Sequence, residues 1–404
     1  MHATTQPVPR RLAQPEFIAM CAMMFATIAF SIDAMLPALP VIGAELSPDN
    51  PNQAAFIITA FVLGMGIGTF FVGPLSDAFG RRRVILAGGG LYLVGAVFAW
   101  AAGQLEMVLL ARVLQGLGAA APRVVGLAVV RDLYSGREMA KITSFVMMIF
   151  TLLPALAPTI GAGVIAMGGW RAIFVAFMLF ASFSVGWYML RQPETLPPNL
   201  RRPIRVGTML AAMREVFSNR IVNLSIAVQA LVFSVLFMVL SSTQQVFEQY
   251  FGRGETFHIW FGVIALCAGT ASIANARLVV RLGMRYLISV TLTVEAILAV
   301  IMVVLLWTGV LPAGVEFAAY VMWSIALFGL MGLTVGNLNA LAMEPMGHIA
   351  GLAASIVGSV ATVISVVLAA PVGLAFNGTP VPMAIGITIA VVMARALFIL
   401  MPRD

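Results

Sequence analysis

Long apolar runs separated by short polar segments set the pattern of this chain. Twelve runs approach the roughly 20 residues that a helix needs to cross a bilayer core. They cover residues 16–40, 53–73, 83–102, 105–130, 141–166, 170–190, 219–245, 257–280, 286–308, 315–342, 350–373 and 381–401. Helix is the assignment for such runs, because within lipid it satisfies the backbone polar groups inside one segment.

The polar segments are unequal. With the N-terminus inside, one set of loops and tails holds Arg10, Arg11, Arg81, Arg82, Arg83, Arg131, Arg137, Lys141, Arg191, Arg201, Arg202, Arg205, Arg214, Arg220, Arg281 and Arg285. The opposite loops hold little more than Arg171 and Arg253. Cytoplasmic loops are the ones enriched in Lys and Arg, so both termini are expected in the cytoplasm, which agrees with an even number of spans. The longest loop, about 191–218, is rich in Pro and Arg ("RQPETLPPNLRRPIR") and lies at the middle of the chain. The expected domains are a six-helix bundle over 1–190, a cytoplasmic loop over 191–218 and a second six-helix bundle over 219–404. An internal match supports this division. "GPLSDAFGRRRVI" at 73–85 aligns with "ARLVVRLGMRYLI" at 276–288, pairing Leu75 with Leu278, Gly80 with Gly283 and Arg82 with Arg285. Asp77 has no acidic counterpart, because Val280 stands there.

Composition narrows the class. Of 404 residues, 61% are hydrophobic and 10% charged, against about 25% charged in soluble domains. This is an integral membrane protein whose surroundings are the lipid bilayer. The net charge of +7 is read as orientation rather than as nucleic-acid binding, since the Arg residues fall between apolar runs. Cys21 and Cys267 lie inside apolar runs and give neither a disulfide framework nor a paired metal site. The run after Arg10 and Arg11 is too long for a signal-peptide core and reads as an uncleaved first span. His2, His258 and His348 are far apart, and there is no H-E-x-x-H or P-loop pattern. An enzyme or an ATP-driven pump is therefore not expected, and neither is a cofactor or metal.

The most specific motif is Gly73-Pro-Leu-Ser-Asp77-Ala-Phe-Gly80-Arg81-Arg82. It resembles the loop signature of the major facilitator superfamily between spans 2 and 3. "RVLQGLGAA" at 112–120 resembles that superfamily's span 4 pattern. "LPALAPTIGAG" at 153–163 departs from the common antiporter motif of span 5, with Leu153, Ala157 and Ala162 at three of its glycine positions. Pro154, Pro158 and Gly161 instead fit a variant similar to the Bcr/CflA branch of bicyclomycin- and chloramphenicol-resistance drug/proton antiporters. "DAMLPALP" at 33–40, "VVRDLY" at 129–134, "GWRAIF" at 169–174 and "AGLAASIVG" at 350–358 are similar to the same branch. The resemblance implies an all-α membrane fold of twelve helices in two bundles, with a central cavity lined by spans 1, 4, 7 and 10. It also implies a protein that is mostly monomeric.

Within that frame the loop motif reads as a cytoplasmic latch. Gly73 permits close helix approach and Gly80 a tight turn. Asp77 can pair with Arg81 or with Arg131, beside Asp132, and can face a helix N-terminus of the other half. The plainer reading is that the arginines only hold the loop inside.

A few charges lie within the spans. Asp33 is unfavourable there by roughly 2.5–3.5 kcal/mol on insertion scales. Asp33 and Arg112 sit at similar depth, about 10 Å inside the outer boundary at 1.5 Å per residue. The resemblance makes their helices neighbours, so an ion pair is expected. Asp33 is the expected proton carrier and Arg112 its modulator; a permanent structural pair is the alternative. Arg112, Gln115, Ala119 and Arg123 form one stripe on span 4. Arg123 either faces the cavity and favours negative or strongly polar substrates, or points to a carboxylate such as Asp132. Glu295 in span 9 reads as a structural contact or a protonated group. Gln229, the run Ser241 to Gln245, Asn337 and Asn339 line the cavity or serve helix packing. Gly64, Gly66, Gly68, Gly332 and Gly336 read as packing seams.

The sequence thus points to a proton-coupled exporter of amphipathic drugs or small metabolites in the bacterial inner membrane. The alternatives are an exporter or uniporter of one specific metabolite, anionic if Arg123 faces the cavity, and a membrane-embedded enzyme or sensor.

Overall fold

The computed structural model describes residues 12–402, apart from the side chains of residues 140 and 151. His2, Arg10 and Arg11 lie outside the described residues. Fourteen α-helices and no strand occur among the described residues. Before the midpoint run α1 (Gln14–Asp33), α2 (Leu39–Leu46), α3 (Phe56–Phe79), α4 (Arg81–Ala101), α5 (Leu105–Leu133), α6 (Gly136–Gly168) and α7 (Arg171–Arg191). After it come α8 (Val206–Ser218), α9 (Arg220–Gln245), α10 (Phe257–Leu282), α11 (Met284–Thr308), α12 (Ala313–Met343), α13 (Ala350–Leu374) and α14 (Val381–Ile399). Eleven continuous stretches are long and apolar enough to cross a membrane, and one of them, Ala313–Leu374, is folded into α12 and α13.

Each expected run holds a helix, with two departures. The first run is not one helix. Pro37 lacks the N–H that would bond the carbonyl four residues back, and its ring clashes with that carbonyl; the residue four back is Asp33, where α1 ends. A 3₁₀ turn, Leu36–Ala38, then leads into α2. The second departure is in the central loop, which contains the 13-residue α8. Its Ala212 and Val216 are buried and it packs on α9 and α13. The helical spacing of Met209, Ala212, Met213 and Val216 was the signal for it.

The two halves repeat in backbone geometry. Gly80, between α3 and α4, has φ 96° and ψ 157°; Gly283, between α10 and α11, has φ 82° and ψ 154°. This positive-φ region is open to glycine and strained for other residues. The aligned glycines therefore make the same corner.

Within the first half, α3 and α4 each pack tightly on α5. A methyl at Gly64 would meet the Val113 backbone, and one at Gly116 the Phe61 backbone. Gly332 is similarly close to Ser272 on α10, whereas Gly336 faces open space and is not a seam. Across the halves the broad contacts are α3 with α13 and α6 with α10. Gly66 lies against Thr362 and Val363, and Gly262 against the Ala155 carbonyl.

Candidate functional site

Between the halves lies a cavity of about 1190 Å³ that runs to the face carrying the Gly73–Arg82 motif and the central linker. Arg123 and Leu127 of α5 form one wall; Gln229 and Phe233 of α9, Asn339 of α12 and Thr362 of α13 form the other. Arg123 is exposed to this space. Among the described residues no hydrogen bond or ion pair engages its guanidinium, so it faces the cavity rather than Asp132, which Arg81 and Thr195 occupy. Gln229 donates to Asn339 Oδ1 at 3.2 Å. Its own Oε1 is buried without a partner.

Four residues expected at the cavity do not line it. Asn337 is two residues, about 200°, around α12 from Asn339; it donates to Asn275 Oδ1 at 2.8 Å and to the Leu333 carbonyl, which is helix packing. Arg112 and Gln115 are fully buried inside the first half. Asp33 is 6% exposed and also absent from the lining.

The expected Asp33–Arg112 ion pair is not made. Arg112 donates to the Ser31 carbonyl at 2.8 Å, the Ile57 carbonyl at 3.2 Å and Gln115 Oε1 at 2.6 Å. Its guanidinium also lies 4.3 Å from the Phe61 ring centre. These contacts tie α1, α3 and α5 together. Arg112 reaches α1 at Ser31, two residues from Asp33, but counting depth along the helices left out the angle around them. Ser31 turns its hydroxyl to Tyr92 on α4 at 2.5 Å. Asp33 follows two residues, about 200°, further round the helix. Among the described residues it has no hydrogen bond and no ion pair.

The latch motif forms a charged cluster. Arg81 bonds Asp77 at 2.6 Å, Asp132 at 2.9 Å and the Ser76 hydroxyl at 2.7 Å. Arg131 is not Asp77's partner; it lines the cavity. Arg82 donates to the Met189 carbonyl at 2.5 Å. Asp77 makes no hydrogen bond to a helix N-terminus of the other half among the described residues, although it lines the cavity together with Ala350 and Gly351 at the start of α13. The linker contacts this cluster instead. Glu194 accepts from the backbone N–H groups of Arg81 at 2.8 Å and Arg82 at 3.1 Å, capping the start of α4. Thr195 donates to Asp132 at 2.9 Å, and Arg202 N–H to the Asp77 carbonyl at 3.0 Å. A Cβ at Gly73 would approach Ser355 of α13, the close helix approach expected of it.

At the far end the halves are joined. Asn52 donates to the Phe376 carbonyl at 2.7 Å and the Leu374 carbonyl at 3.2 Å, and accepts from Gln245 at 3.0 Å. Beside it, Ser241, Ser242, Thr243, Gln244 and Gln245 of α9 are buried, each with a side-chain oxygen lacking a partner among the described residues. One end of the cavity is thus open and the other hydrogen-bonded shut.

This arrangement has counterparts among known proteins. The family model for the Major Facilitator Superfamily matches residues 19–370. The chain belongs to the Major Facilitator Superfamily. It is 30% identical over 392 residues to an uncharacterized MFS-type transporter, YdgK, of Bacillus subtilis, covering 96% of this chain and 95% of that one. It is 27% identical to a bicyclomycin resistance protein homolog of Haemophilus influenzae, with 91% of each chain covered. The multidrug resistance protein MdtL of Shigella dysenteriae is also 27% identical, at 91% coverage of both. In fold the chain is similar to a D-xylose-proton symporter, with a TM-score of 0.74 at 15% identity, covering 96% of this chain and 98% of that one. It is therefore a multi-pass transporter of the bacterial inner membrane and not an enzyme.

In this facilitator fold the span 5 motif has a definite place. Pro154 and Pro158 lie inside α6, and Gly161 packs on the Ala34 backbone, next to Asp33. Glu295 is buried and accepts from Trp323 Nε1 at 3.1 Å, so it serves α11–α12 packing. Asn52 and Glu194 had no signal in the sequence. Each is one polar residue in a polar loop, and the partners of each lie far along the chain.

Proposed function

We propose that this protein is a twelve-span, proton-coupled antiporter that exports amphipathic drugs or small metabolites by alternating access, working as a monomer. In this reading residues 1–190 and 219–404 are the two moving bundles, 191–218 is the linker, and both termini are cytoplasmic. The resistance proteins among its relatives support drug-like cargo.

The observation that carries the proposal is Asp33. It is a buried carboxyl group without a partner among the described residues, placed where α1 breaks and where the Gly161 motif packs. An isolated carboxylate is far more costly to bury than the neutral acid. A proton bound at Asp33 suits the closed surroundings seen here, and its release needs a change in those surroundings. Rocking of the bundles supplies that change. The orphaned polar oxygens at the far end of α9 support the same motion. Each unsatisfied buried group is unfavourable by about 1–3 kcal/mol, and opening that end would hydrate them.

The test is transport in proteoliposomes with an imposed pH gradient and a trapped pH dye, using chloramphenicol, ethidium and similar cargo. Cargo-dependent proton movement is expected in the wild type. Transport indifferent to the pH gradient would leave a facilitator without proton coupling.

A further inference from the structure

We infer that the cavity carries an anion-binding subsite at Arg123, so that its preferred cargo is a small amphipathic acid. Among the described residues, five arginines (Arg81, Arg123, Arg131, Arg202 and Arg205) line the cavity, against a single acidic residue, Asp77. Asp77 and Asp132 hold Arg81. Neither reaches Arg123. Arg131, Arg202 and Arg205 ring the mouth, and Arg123 lies eight residues, about 12 Å, deeper along α5. Such a funnel of one sign concentrates ligands of the other.

An arginine facing a cavity without a protein carboxylate presents a planar fork of donors that fits a carboxylate or phosphate. The far wall offers the complement. Gln229 is 1% exposed, its amide nitrogen is used by Asn339, and its Oε1 has no partner among the described residues. That oxygen accepts a hydrogen bond from a hydroxyl or amide of the cargo. Leu127 and Phe233 supply apolar surface between the two. The cargo so described has an acidic head at Arg123, an apolar body and a donor toward Gln229. It bridges α5 of one half and α9 of the other, so binding draws the halves together. The inference rests on the transport reading only in that this cavity must carry cargo.

The test is calorimetric binding to the full chain in phosphatidylcholine nanodiscs. The probes are two acids with their uncharged counterparts, salicylate with salicylamide and 1-naphthyl phosphate with 1-naphthol. Each acid is expected to bind about tenfold or more tightly than its neutral partner. Arg123→Gln should erase that preference while leaving the melting temperature of the free protein unchanged, and Arg123→Lys should restore part of it. Equal binding of acids and neutral partners, no binding of either acid, or a preference that survives in Arg123→Gln overturns the inference. Neutral drugs that still drive proton movement would then leave the antiport proposal intact. Conversely, charge-selective binding without proton coupling removes antiport and keeps the subsite.

Discussion

Gly161 on α6 lies directly against the backbone carbonyl of Ala34, the residue that follows Asp33 in the break of α1. A methyl group at Gly161 would have to displace either α6 or the turn that holds Asp33. Overpacking of this kind is destabilising by about 1–3 kcal/mol. Gly161→Ala is expected to cut drug efflux several-fold at a normal membrane level. Gly163→Ala, where the added methyl meets open space, should behave as wild type. Equal efflux by both variants would detach the motif from the Asp33 turn.

Asp33→Asn keeps the shape of the side chain and removes its ability to carry a proton. The variant should fold and bind cargo, and should exchange cargo across vesicles without a gradient. It should not accumulate cargo against a gradient when a pH difference is imposed. Active accumulation by Asp33→Asn would dismiss Asp33 as the carrier.

Arg112 acts as a strut in this structure. Removing it takes a donor from the Ser31 and Ile57 carbonyls and orphans Gln115 Oε1, and an unsatisfied buried acceptor is unfavourable by about 1–3 kcal/mol. Arg112→Leu should therefore lower the melting temperature sharply and reduce the amount of protein in the membrane. A stable, well-expressed variant with only its pH response altered would return Arg112 to a coupling role.

Asn52 holds the far end shut through three hydrogen bonds to the other half. At about 1 kcal/mol net for each, Asn52→Ala should shift the conformational balance by roughly 2–4 kcal/mol toward opening at that end. A cysteine placed at buried Ser241, in a background lacking Cys21 and Cys267, should then react faster with an impermeant maleimide. An unchanged rate would mean that other contacts keep this end closed.

Glu194 caps α4 from the linker. Loss of a helix N-terminal acceptor is destabilising by about 0.5–2 kcal/mol. Glu194→Ala should show that loss in thermal unfolding and should free the linker, read as faster proteolysis near Arg201. A linker as resistant as in the wild type would show that Thr195 and Arg202 suffice to hold it.

The sequence by itself determined the helices, their order and the repeat of the two halves. Those features are local: an apolar run long enough to span lipid has helix as its stable form, Pro37 sets where α1 stops, and Gly80 and Gly283 mark equivalent corners. The Asp77–Arg81 pair was legible for the same reason, since the two residues are four apart on one turn. Only the tertiary structure decided what faces what. Depth along a helix can be counted from sequence, but the angle of each helix toward its neighbours depends on packing between segments far apart in the chain. That angle separated Asp33 from Arg112, turned Arg123 into the cavity and Asn337 out of it, and brought Glu194 to α4. Asn52 met its partners on the other half because the far end is closed, an arrangement between distant segments that no local pattern encodes.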